Sequence, residues 1–164
     1  MALAVPRTWV VGEVVAAATL NAEIRDQFTD LISGWTSYTP AWTASTAPSI
    51  GNGTLIGRYK VIGKLCTAQI EIVMGTTTTF GSGIWFFSLP FTAASPAGTS
   101  ANWVYMGSSR AHSATTWYTG ISAVVKGTSV LKAFSPADWS PTVPHSWAAA
   151  STNYGHLSIT YETV

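Results

Sequence analysis

Hydrophobic and polar side chains alternate along two neighbouring runs, TLIGRYKVI and LCTAQIEIVM, separated only by Gly63 and Lys64. In the second run Cys66, Ala68, Ile70, Ile72 and Met74 share one face. A two-residue step containing glycine between such runs predicts a β-hairpin. The period of two returns near the C-terminus, where Leu157, Ile159 and Tyr161 alternate with Ser158, Thr160 and Glu162. Further strands are expected in IWFFSLP and over residues 101–106, 117–125, 129–134, 146–150 and 157–162. Short strand pieces are expected at Trp35, Ser37 and Ala41-Trp42-Thr43, with Pro40 at an edge or bulge. Residues 45–53, 76–83 and 93–100 read as loops, and Asn52-Gly53 reads as a turn pair suited to positive φ. Many short strands at regular spacing predict a mainly β chain built as an antiparallel β-sandwich, jelly-roll-like in arrangement.

Ahead of the strands the period is helical. Leu20, Ile24, Phe28 and Leu31, with Ile32, fall on one side, while Glu23, Arg25, Asp26 and Asp30 point elsewhere. Thr19 is the expected cap and Gly34 follows the expected end. Before this helix, Pro6 and Gly12 favour an extended arm. The chain therefore divides into an arm and helix, 1–34, and a β-domain, 35–164. The apolar stripe either lies on the sheet or meets the same stripe in sister chains; the second reading makes Leu20, Ile24, Phe28 and Leu31 an oligomer seam, in the manner of a short bundle.

Composition sharpens the second reading. Only 9% of the 164 residues are charged, against roughly 25% in an ordinary soluble domain. No charge lies between Asp30 and Arg58 or between Glu71 and Arg110. Surface so poor in charge is expected to be covered by copies or neighbours. A net charge of +1 gives no basic stripe for nucleic acid. The single cysteine, Cys66, lies in the buried phase of its strand and is expected to be a small core hydrophobe rather than a metal ligand. No apolar run suffices for membrane insertion. VVGEVVAAATL is interrupted by Glu13 and is not expected to be a signal-peptide core.

Catalytic patterns are lacking. Beyond the helix the acidic residues are Glu71, Asp138 and Glu162, with no local pairing, and His112, His145 and His156 have no ligand spacing. The expectation is a non-enzymatic chain without cofactor or metal. The tryptophans carry the remaining signal. Trp139 and Trp147, with Asp138 and His145, form a candidate ligand surface in which rings stack on a sugar and polar groups take its hydroxyls. The competing reading, that these rings fill the core or an interface, is the favoured one.

The opening PRTWVVGEVVAAATLNAEIRDQF, with its P-R-T-W, G-E-V-V and L-N-x-x-[IV]-R-D elements, resembles the N-terminal segment of virion proteins of tailed bacteriophages, especially those of actinobacteria. WTSYTPAWT, GNGTLIGRYKVIGK and GTTTTFGSGIWFFSLP are similar to the β-rich part of the same tail-fibre, minor-tail or head-decoration proteins. The resemblance covers roughly the first 91 residues; Val11 and the AAAT run are more apolar than the pattern, and residues 92–164 match it much less. It implies a non-enzymatic homotrimer located in the virion and assembled in the host cytoplasm. In that picture Pro6, Arg7, Thr8, Trp9 and Val10 dock on other virion proteins of the tail or capsid. The β-domain then serves as a short tail fibre or minor tail protein that adheres to a host cell-surface glycan. A capsid decoration protein that stabilises the shell is the alternative, and a carbohydrate-binding module the third reading.

Overall fold

The structure is a computed structural model and describes residues 7–164. Pro6, the first of the expected docking residues, lies outside that range. Residues Ala17–Leu20 (α1) and Asp26–Ile32 (α2) are α-helical and are joined by a π-helical turn, Asn21–Arg25. The helix starts earlier than expected. Ala16 occupies the N-cap position without a side-chain cap bond, and Thr19 lies inside the first turn, donating its backbone N–H to the Ala16 carbonyl at 3.0 Å.

Nine strands follow: β1 (Thr36–Tyr38), β2 (Trp42–Thr43), β3 (Thr54–Ile62), β4 (Leu65–Val73), β5 (Phe86–Ser88), β6 (Val104–Ser113), β7 (Thr116–Val125), β8 (Val130–Phe134) and β9 (Tyr154–Glu162). They form one antiparallel ladder in the order β1-β3-β4-β9-β6-β7-β8-β5-β2. The strands at its two ends, β1 and β2, are separated in sequence only by residues 39–41, so the sheet curls round to bring its two ends near each other. Ser88 of β5 continues the β2 pairing, its N–H donating to Ala41 O at 2.9 Å and its Oγ accepting from Ala41 N at 2.8 Å, and Tyr38 Oη of β1 reaches across to its carbonyl at 3.3 Å. The fold is thus sandwich-like, with two packed layers supplied by a single curled sheet.

Register explains the core. Across β4 and β9, Cys66 faces Tyr161, Ala68 faces Ile159 and Ile70 faces Leu157, and all six are buried. The same row continues to Ile72 opposite Gly155, where the missing side chain admits a ring: a Cβ there would lie 2.7 Å from Trp139. The far layer contributes Phe87, Val124, Leu131 and Ala133. Between the layers Trp42, Trp85, Trp139 and Trp147 form a chain of ring contacts at 4.8–5.4 Å centroid spacing. Such aromatic pairs add about 0.5–1.5 kcal/mol each beyond area burial.

The β3–β4 hairpin turns at Gly63-Lys64 as the alternation predicts, with left-handed φ (+61°) at the glycine. Three expectations are corrected. In the 50–53 turn the left-handed residue is Gly51 (φ +59°) and not Asn52-Gly53; Asn52 instead ties the loop to residues 76–77 through its side-chain amide. Residues 146–150 make no strand: Ala150 N bonds Ala148 O at 2.8 Å, and the local turns seat Trp147 in the core. Strand β6 extends well past Met106 to Ser113, because β7 and β9 pair it on both sides although its sequence there is small and polar.

Candidate functional site

The helix presents the face that a folded monomer would be expected to hide. Leu20, Ile24, Phe28, Leu31 and Ile32 are 40–80% exposed, and no residue of either α segment or of the π turn is buried. The helix is held through polar contacts at two points instead. Arg7 Nε donates to both carboxylate oxygens of Glu23 at 2.7 and 3.0 Å, and its Nη1 reaches Glu13 at 2.5 Å. The paired carboxylates raise the Arg7 pKa still further, Glu23 foremost through its hydrogen bond. Arg7 also lies 4.9 Å from the Trp9 ring centroid. At the other end Lys60 of β3 donates to the carbonyl of Asp30, to Ser33 O at 3.1 Å and to Ser33 Oγ at 2.6 Å. A cation at a helix C-terminus meets carbonyls that have no helical partner. The arm residues Arg7, Thr8, Trp9 and Val10 are all exposed.

The candidate ligand surface is placed differently. Trp139 is fully buried and Trp147 is 6% exposed, so neither ring offers a face to a ligand. The Trp147 indole donates to Val143 O at 3.0 Å. Asp138 pairs with Lys132 at 3.4 Å, and His145 is sandwiched by Trp147 and Tyr118 at 4.4 and 5.1 Å. Burial lowers the His145 pKa below its ordinary value. These four residues therefore belong to the packed interior and its margin, as the competing reading held. Spacing along the chain could not separate them from exposed rings, because residues 138–147 lie outside any regular strand.

An exposed cluster lies elsewhere, on the outer face of four adjacent strands. Trp117 of β7, His112 of β6 and Tyr154 of β9 form one cross-strand row; Arg110 of β6, His156 of β9 and Glu71 of β4 form the next. Trp117 is 48% exposed. Its ring lies 4.2 Å from His112 and 5.5 Å from Tyr154, and the Arg110 guanidinium sits 4.1 Å from its centroid. In the second row Arg110 Nη2 is 3.3 Å from His156 Nδ1, and His156 Nε2 is 2.9 Å from Glu71 Oε1. Arginine can only donate, so His156 Nδ1 accepts and its proton resides on Nε2, directed at Glu71. His112 Nδ1 lies 3.0 Å from the Thr152 carbonyl, which can only accept, so His112 carries a proton on Nδ1. Sequence reasoning considered these histidines singly; the signal that unites them is strand parity, visible only once β6 is known to extend to Ser113.

The same outer face carries a shallow apolar concavity of about 620 Å³ lined by Val104, Met106, Ile121, Val125 and Val130. Among the described residues no group of three or more His, Cys, Asp and Glu is placed to hold a metal ion. No described helix is long and apolar enough to cross a membrane.

Over 119 residues the chain is 30% identical to the Mu-like prophage FluMu defective tail fiber protein of Haemophilus influenzae (strain ATCC 51907 / DSM 11121 / KW20 / Rd), an alignment that covers 69% of this chain. The chain spans 18% of the length of that protein. No protein-family model matches the chain. No solved structure matches it.

Proposed function

We propose that the chain is a structural, non-enzymatic protein of a phage tail fibre. It assembles as a homotrimer through its helix, attaches to other virion proteins through its N-terminal arm, and projects the β-domain for adhesion to the host surface. The likeness to a tail fiber protein supports the class. The observation that carries the assembly is the outward apolar stripe. Leu20, Ile24, Phe28 and Leu31 stay exposed while the helix is held through Glu23 to Arg7 and through its C-terminal end to Lys60, an arrangement that leaves the stripe without a partner inside the described chain. Each such side chain gains about 1.5–3 kcal/mol when fully buried, so sister helices have a clear reason to meet. The apolar concavity on the sheet adds further surface suited to contact between copies.

The test is the solution mass of the full chain by light scattering. The expected value is three times the 17.3 kDa chain mass. Substituting Leu20, Ile24, Phe28 and Leu31 together by serine is expected to reduce it to one chain with the β-sheet signal in circular dichroism retained. A monomeric wild-type chain at micromolar concentration, or a trimer that survives the fourfold substitution, would contradict the helix seam.

A further inference from the structure

We infer that the Trp117 cluster is a binding site for an uncharged pyranose unit of a surface polysaccharide, an inference that rests on the adhesion reading. Sugar recognition needs an accessible aromatic face for the C–H side of the ring, flanked by donors and acceptors for the hydroxyls. Trp117 supplies the ring: the Arg110 guanidinium and the His112 ring cover part of it at 4.1 and 4.2 Å, and the side chain as a whole stays 48% exposed, which leaves the uncovered part to a sugar. Glu71 has one oxygen engaged by His156 and the other directed to no protein partner among the hydrogen bonds of the described residues. Arg110 uses one nitrogen on His156, and its guanidinium carries further N–H donors.

The polar groups are held before any ligand arrives. Glu71, His156, Arg110 and Trp117 form a continuous chain of contacts, each 2.9–4.1 Å, anchored on β4, β9, β6 and β7. Groups fixed on strands lose little freedom when they bind, which favours weak but specific recognition. Four strands span about 14 Å, three spacings of roughly 4.8 Å, enough for two sugar rings side by side. Charge decides between neutral and acidic sugars. Arg110 and Glu71 carry opposite charges within one contact chain, so this pair gives the cluster no net charge with which to select an anion.

Alternative positions on the chain are weaker. Trp103 is 44% exposed and packs edge-on against Tyr105, apart from the Arg110–His156–Glu71 chain, so it serves as the control. The experiment measures binding of the fluorescently labelled full chain to intact cells of a strain that the parent phage infects. Cells are used untreated, after periodate cleavage of sugar diols, or after protease treatment. Binding is expected to survive protease and to be lost after periodate. Trp117→Ala is expected to weaken it at least tenfold, Trp117→Phe to retain most of it, and Trp103→Ala to leave it within twofold, with thermal melting unchanged in all three. If Trp117→Ala binds like the wild type, or if protease abolishes binding and periodate does not, the site assignment is overturned while adhesion stands. If the wild-type chain binds no cells, the adhesion reading fails and this inference with it.

Discussion

His145 shows how a single side chain can record its surroundings. Both ring nitrogens are cut off from solvent, and the imidazole is packed between Tyr118 and Trp147. Burial lowers its pKa, the charge of His112 acts in the same direction, and the Ser146 backbone opposes them in part. A depressed folded-state value means that the unfolded chain takes up a proton before the folded chain does. Stability from this residue is therefore complete above the ordinary histidine value of 6.5 and declines as pH falls below it toward the folded value. Denaturant midpoints measured from pH 8 to pH 5 are expected to hold and then fall. His145→Phe is expected to flatten the acid limb; an unchanged limb would show that other groups set it. Residue identity foretold some of this scale and not the rest. Cys66 was legible as core from its strand phase, and burial does raise its thiol pKa. The two tryptophans beside His145 look no different in sequence from Trp117, and only the fold sorts buried rings from exposed ones.

At the scale of elements, alternation with period two foretold the β3–β4 hairpin and its Gly63-Lys64 turn, with β4 ending at Val73, one residue short of the expected run, because one face of each strand meets a dry core and slippage would expose it. It under-read β6, whose small polar residues Gly107 to Ser109 follow no hydrophobic pattern and are held by neighbours on both sides. The helix was legible as amphipathic, but its orientation was not. That orientation depends on long-range partners, chiefly Lys60, which lies 27 residues from Ser33 and reaches the helix end through three acceptors. Hydrogen bonds to a charged donor contribute about 1.5–3 kcal/mol each. Lys60→Met is expected to speed amide exchange across residues 26–32 by about tenfold, as loss of even one such bond implies. Exchange would remain at the wild-type rate if the helix were held by its stripe against the sheet.

For the whole molecule, low charge, a curled sheet with short end strands and an outward apolar helix are the features from which the proposed assembly is argued. The strands at the two ends of the sheet are only three and two residues long, which keeps the edge that could template indiscriminate pairing short. Contact is thereby left to side-chain surfaces such as the helix stripe. The likeness to a tail fiber protein points to a particle as the setting for that assembly. The measurement that tests this account most directly is the position and copy number of the chain in purified phage particles, read by electron microscopy with an antibody against the β-domain. The account predicts label confined to the tail, in multiples of three. Label spread over the head in high copy would contradict it and assign the chain to the shell.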